Sequence, residues 1–198
     1  MRYLFEHLLN GQTNSVVQTI SVGKGPSAIG VNTQTDMIYV ANIGSNNISV
    51  INGQTNSVVQ TISVGYWPDA IGVNTQTDMI YVANGNDNTV SVINGQTNSV
   101  IQTISVGKGP SAIGVNTQTD MIYVANGNDN TVSVINGQTN SVVQTISVGD
   151  NPSAIGVNTQ TDMIYVASNN VSVINGQTNS VVQTVSVGNG PGAIGVLY

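Results

Sequence analysis

The chain contains no cysteine, one histidine, one tryptophan and one phenylalanine, and only 6% of its residues are charged. Without cysteine there are no disulfides, no thiolate metal sites and no cysteine nucleophile. His7 is the lone histidine, with Glu6 beside it, so neither a Ser-His-Asp triad nor a histidine-based metal site can be assembled. No serine stands in a GxSxG elbow, and the glycines fall in NG and GP turns rather than in a phosphate cradle. The expectation is a protein that is not an enzyme, with no cofactor and no metal.

Basic residues are equally scarce. Three Lys and Arg stand against nine Asp and Glu, a net charge of -6, which cannot form the basic stripe that a phosphate backbone requires. Nucleic acid is therefore excluded as a partner. No apolar run approaches the roughly 18 residues of a membrane-spanning helix. The opening MRYLFEHLL is too short for a signal peptide and carries Glu6 and His7 where an apolar stretch would lie. For a complete chain, this points to the cytoplasm.

What is present is repetition. Hydrophobic residues make up 39% of the chain, enough for a core, while amides, hydroxyls and glycine fill the polar positions. The phrase NGQTNSVVQTISVG starts at Asn10, Asn52, Asn94, Asn136 and Asn175, with single apolar exchanges such as Val185 in the last copy. Spacings of 42, 42, 42 and 39 residues define a tandem repeat.

One unit holds four short apolar segments, at Ala70 to Val73, Met79 to Ala83, Val90 to Ile93 and Val100 to Val106. Each is rich in Val, Ile or Tyr and is bounded by Asn, Gly, Asp, Thr or Pro, which predicts strands joined by turns. No segment sustains the 3.6-residue spacing of a helix. The first segment, with Ala70 and Gly72, suits a place where neighbouring backbones approach closely. The second is apolar on both faces and belongs inside a sheet, whereas the fourth mixes in polar residues as an outer edge does. Four antiparallel strands per repeat predict an all-β propeller; the coils of a parallel β-helix, the main rival, are shorter.

The pieces IYVAN (Ile38 to Asn42, Ile80 to Asn84, Ile122 to Asn126), NTVSVINGQTNSVVQTISVG and GPSAIGVNTQTD resemble the YVTN family of β-propeller repeats. The resemblance spans about residues 10 to 196. It implies a propeller of the kind found in bacterial and archaeal surface-layer and secreted proteins, and hence an extracellular or cell-surface location.

Complete blades are expected at residues 26–65, 68–107, 110–149 and 152–188. The ends, 1–23 and 190–198, supply strands one, three and four of a fifth, so the single domain is expected to close as five blades through its N- and C-terminal strands. Strand two of that blade is missing. Strands one and three run parallel in an antiparallel blade, so the gap cannot simply collapse. Met1 to Leu9 is read as a plug for the closure, with a short helix as the alternative. A ring left open would oligomerise to cover its edge, giving a homo-oligomer through the closing blade.

The copies also differ from one another in an ordered way. The NTQTD and NGQTN loops are constant, whereas the inter-blade loops vary: GKGPS at Gly23 and Gly107, GYWPD at Gly65, GDNPS at Gly149 and GNGPG at Gly188. The loops between strands two and three vary too, and alternating strand direction puts both variable classes on one rim. Variable loops on a rigid scaffold are where binding resides. This rim, with Tyr66, Trp67, Asp69, Lys24, Lys108, Asp150 and Asn151, is the expected surface for a glycan, peptide or other surface partner. Drift in tolerant turns, with Trp67 packed on a neighbouring blade, is the plain alternative, and a self-assembling building block is the functional one. Asp36, Asp78, Asp120 and Asp162 recur on the constant rim and are read as turn-capping residues rather than a metal ring. Asp87 and Asp129 lie in oxygen-rich GNDN loops but lack the spacing of a dedicated Ca²⁺ loop.

Overall fold

A computed structural model of the chain describes residues 5–10, 12, 15–188 and 190–196. The Met1–Leu4 part of the expected plug lies outside the described residues. Its remainder falls in a strand rather than a helix: β1 (Phe5–Asn10) pairs antiparallel with β2 (Ser15–Ser21) as a separate two-stranded sheet.

Four sheets of four antiparallel strands follow, each in sequence order. Blade 1 comprises β3 (Pro26–Asn32), β4 (Met37–Asn42), β5 (Asn47–Asn52) and β6 (Ser57–Ser63). Blade 2 comprises β7 (Pro68–Asn74), β8 (Met79–Asn84), β9 (Thr89–Asn94) and β10 (Ser99–Ser105). In blade 3 these are β11 (Pro110–Asn116), β12 (Met121–Asn126), β13 (Thr131–Asn136) and β14 (Ser141–Ser147). Blade 4 holds β15 (Ala154–Asn158), β16 (Met163–Ala167), β17 (Val171–Asn175) and β18 (Ser180–Val185). By register, β1 and β2 repeat strands three and four, with the same bulge at Leu8/Leu9 that β5 and β6 carry at Val50/Ile51.

Each core lies between two blades rather than inside one, because a flat sheet must bury both faces against neighbours. Tyr39, Ala41, Ile48 and Val50 of blade 1 pack with Ile80, Val82 and Ile93 of blade 2, and the next two junctions repeat the set. The close approach expected of the first strands is met in every complete blade. A Cβ on Gly30 would fall 2.5 Å from Ile71 Cγ2, and one on Gly114 the same distance from Ile155 Cγ2. Residues 190–196 form no ladder, yet Ile194 and Val196 seat on Gly156 in the same way, in the place of a next first strand.

The fourth strands are outermost and exposed apart from one isoleucine near the end of β2, β6, β10 and β14. A bulge interrupts their ladder, as at Val100/Gln102, and twists the edge away from strand addition. The NGQTN turn is constant for a local reason. Asn52 Oδ1 accepts from the amides of Gln54 and Thr55 (3.0 and 2.9 Å), and Asn56 adopts the left-handed conformation (φ 53°) that Asn tolerates best after Gly.

Candidate functional site

On the variable rim, the linkers at Gly65, Gly107 and Gly149 are each clasped between the two loops flanking them. The linker's third residue donates its amide to the last Asn of the preceding loop: Trp67 to Asn46 Oδ1 (3.1 Å), Gly109 to Asn88 Oδ1 (3.0 Å) and Asn151 to Asn130 Oδ1 (2.8 Å). The second residue donates to the following loop: Lys24 to Ser45 Oγ (3.0 Å), Tyr66 to Asp87 Oδ2 (2.6 Å) and Lys108 to Asp129 Oδ2 (2.7 Å). Asp87 and Asp129 thus hold linkers by accepting backbone hydrogen bonds. Among the described residues no group of three His, Cys, Asp or Glu could hold a metal ion.

The third linker position is left-handed throughout. Gly25, Gly109 and Gly190 occupy it at φ 63°, 64° and 65°, and Asn151 at 54°. Trp67 occupies it at φ 63°. A bulky side chain in this region costs roughly 1–2 kcal/mol, because its Cβ crowds the neighbouring carbonyl. The indole recovers part of that cost against the adjoining loop, where a Cβ on Gly85 would lie 3.3 Å from Trp67 Cδ1. Even so, Trp67 is 48% exposed and Tyr66 62% exposed. The strained residue therefore leaves about half of its surface uncovered, and its packing on the adjoining loop offsets only part of the cost. The linker sequences carried the signal, since Gly, Trp, Gly, Asn and Gly at one position mark a positive φ.

At Gly65, the residue before Tyr66, opens a groove of about 500 Å³ lined by Ser63, Asp87, Thr89, Ser91 and Thr103 with Val64, Val100 and Gly65; neither aromatic is in its wall, and Asp87 links it to the Tyr66 amide. Hydroxyls and a carboxylate form its polar wall, and valines supply an apolar patch. The same groove recurs one blade on at about 420 Å³, with Asp129 in the place of Asp87. There the adjoining linker reads Lys108-Gly109 in place of Tyr66-Trp67.

The remaining residues expected at the site are spread one linker at a time. Lys24 and Lys108 are exposed on linkers of their own. Asp150 joins the loops of blades 3 and 4, accepting from Asn130 Nδ2 (3.2 Å) and Asn169 Nδ2 (3.4 Å), with Asn151 next to it. Asp69 stands where other blades have serine. Ser27 and Ser111 donate to the carbonyls of Pro68 (2.7 Å) and Pro152 (3.1 Å) of the following blade, which an ionised carboxylate cannot do. Burial pushes the Asp69 carboxyl above its ordinary value.

Such a carboxyl weakens the fold once the unfolded chain ionises, and does not while both states are protonated. Asp69→Ser is therefore expected to stabilise by about 1 kcal/mol at pH 7, one restored hydrogen bond. That raises Tm by about 2–4 °C for a chain of this size. The gain should vanish by about pH 3, below the ordinary carboxyl pKa and where a protonated Asp69 can itself donate. Thermal melts across that range check it, and a gain independent of pH would discount the carboxyl.

On the constant rim, the recurring aspartates are structural, by a bond the sequence did not reveal. The turn amides are capped by asparagines, as in Asn32 Oδ1 accepting from Gln34 N (3.0 Å). Three of the aspartates accept from the blade before, Asn32 to Asp78, Asn74 to Asp120 and Asn116 to Asp162, each at 2.7 Å, and Asp36 accepts from Gln54 Nε2 of its own blade at 3.0 Å. Sequence reasoning also passed over Asn84 and Asn126, buried residues whose amides donate to Thr89 and Ser91 or Thr131 and Ser133 and anchor the base of each groove. Their recurrence in three of the four blades, with Ser168 in the fourth, was the available signal.

A family model described as a YNCE-like beta-propeller matches residues 7–122, more than half of the chain. No curated protein matches it. Among solved structures, a chain of Kuenenia stuttgartiensis hydrazine synthase superposes with a TM-score of 0.77 at 23% identity. The match covers 85% of this chain and 51% of that one, so the present chain spans about half the length of its neighbour, and the likeness is one of fold.

Proposed function

Because the chain belongs to the YNCE-like β-propeller family, a fold that serves as a scaffold for unrelated activities, we propose that it is a non-enzymatic binding scaffold whose variable rim takes a carbohydrate at the junction of blades 1 and 2. The observation carrying this reading is Trp67, an exposed aromatic held at a left-handed position where the other linkers use Gly or Asn. An aromatic face beside Tyr66 offers apolar area at low entropy cost for the CH face of a sugar ring. The adjoining groove, with Asp87, Thr89, Ser91 and Thr103, offers the acceptors and donors that sugar hydroxyls require. The resemblance to surface-layer repeats supports display at a cell surface, which labelling of intact cells tests.

Trp67 is the only tryptophan, so its fluorescence reports the site directly. A glycan array followed by fluorescence titration should yield a ligand, and Trp67→Gly, which lacks that fluorophore and is therefore titrated by calorimetry, should weaken binding at least tenfold. The same substitution should stabilise the fold by about 1 kcal/mol, because glycine relieves the strain. Undiminished binding by Trp67→Gly would exclude the site, and a response to peptides in place of sugars would reassign the ligand class.

A further inference from the structure

Every junction between consecutive blades uses one set of contacts, and the two ends of the row carry the unmatched halves of that set. At the leading end, Ile29 and Val31 are the counterparts of Ile71 and Val73, which pack on the glycine of the preceding blade, yet they are 51% and 47% exposed. At the trailing end, Gly195 is the counterpart of Gly30, Gly72, Gly114 and Gly156, and among the described residues it has nothing within 4 Å of where its Cβ would lie. The trailing face of blade 4 is open as well. Tyr165 is half-buried where Tyr39, Tyr81 and Tyr123 are fully buried, and it lines a hollow of about 240 Å³ with Asn158, Val171 and residues 194–196.

We propose that the occupant of both ends is a second copy of this chain, added head to tail. Gly195 of one copy seats on Ile29 and Val31 of the next, and the two chains share the fifth blade, whose second-strand place neither chain fills. Residues 190–196 of one copy supply its first strand, and the β1–β2 hairpin of the other supplies strands in the register of three and four. The seating of a first-strand glycine on the next Ile and Val is one that the structure already makes at four successive junctions, whereas the second-strand tyrosine of those junctions has no counterpart here. The row is not closed on itself, since Ile29 and Val31 are exposed and Gly195 has no described atom within 4 Å of its Cβ position. Although each copy bears a net charge of -6, Ile29, Val31 and residues 190–196 are uncharged, so no like charges meet at the contact itself. The contact is heterologous, so it propagates from copy to copy until the rotation closes. This inference concerns the blade faces and stands apart from the ligand assigned to the rim.

The test is a pair of end-blocked variants, Val31→Asp at the head and Gly195→Val at the tail, studied by light scattering and sedimentation velocity. The wild type should form species that grow with concentration. Each variant alone should remain at the 20.5 kDa of the single chain. An equimolar mixture should give a complex of twice that mass and nothing larger, because one free head meets one free tail. Circular dichroism identifies a variant that fails to fold, and Ile29→Lys or Gly195→Leu then takes its place. A wild type that is monomeric at millimolar concentration, variants that associate as the wild type does, or a mixture that stays monomeric would each overturn the proposal.

Discussion

Tyr81→Ala should cost about 3–5 kcal/mol of stability, the range for removing a large buried aromatic, and Tyr165→Ala less than half as much. The two tyrosines hold the same place in blades 2 and 4. Tyr81 is fully buried among Val90, Val92, Ile104, Ile122 and Val124, at the junction with blade 3. Its hydroxyl reaches Asn140 Oδ1 at 3.3 Å. Burial, and after it the charge of Asp120, raise its pKa well above the ordinary 10.0. Tyr165 faces the open end of the row and leaves little cavity when truncated. Urea titrations at fixed protein concentration measure both. Since stability in a repeat array is shared between units and their nearest neighbours, Tyr81→Ala should also broaden or split the transition. Equal losses at the two sites would mean that blade junctions do not carry the stability.

Gly114→Val is expected to cost about 2–3 kcal/mol, although valine is the better strand former. Its Cβ would fall 2.5 Å from Ile155 Cγ2 and 2.8 Å from Val157 Cγ2, closer than carbon atoms approach, so blades 3 and 4 would have to part. Gly195→Val adds the same atoms in open space and should leave the stability of the single chain unchanged. Rescue tests the cause. Leucine has no Cγ2, so Ile155→Leu should restore part of the loss in the double variant, a coupling that a double-mutant cycle measures. An additive pair would place the damage in the backbone of β11 instead of at the junction.

Much of this molecule is legible in its amino-acid sequence, because a period repeated five times multiplies a weak local signal. The four strands of a blade, the interior place of Met79–Asn84, the outer place of Ser99–Ser105 and the close approach at Gly72 follow from apolar spacing and glycine placement. The site was partly legible. Tyr66 and Trp67 stand out because they differ from their copies, whereas Asp87 and Asn84 are hidden by belonging to loops that look like ordinary turns. Their work lies between segments, as in the 2.6 Å bond from Tyr66 N to Asp87 Oδ2, and no spacing within one repeat encodes it. The aspartates before each second strand show the same limit. Their structural role could be read locally, but their partners lie 46 residues away, one blade back.

The sequence by itself determined an all-β chain of repeated four-stranded blades with variation confined to one rim, since turn chemistry and side-chain alternation are local properties that each copy restates. Only the tertiary structure decided which copies are satisfied and which are not. Ile29 and Ile71 are the same residue in the repeat, as are Gly114 and Gly195, and they differ in whether a neighbour is there. The same holds for Trp67, whose meaning comes from a backbone angle imposed by the linker's two clasping loops rather than from its own preference. Burial and strain arise from what the rest of the chain places alongside a residue, and identical stretches of sequence can therefore end in different physical states.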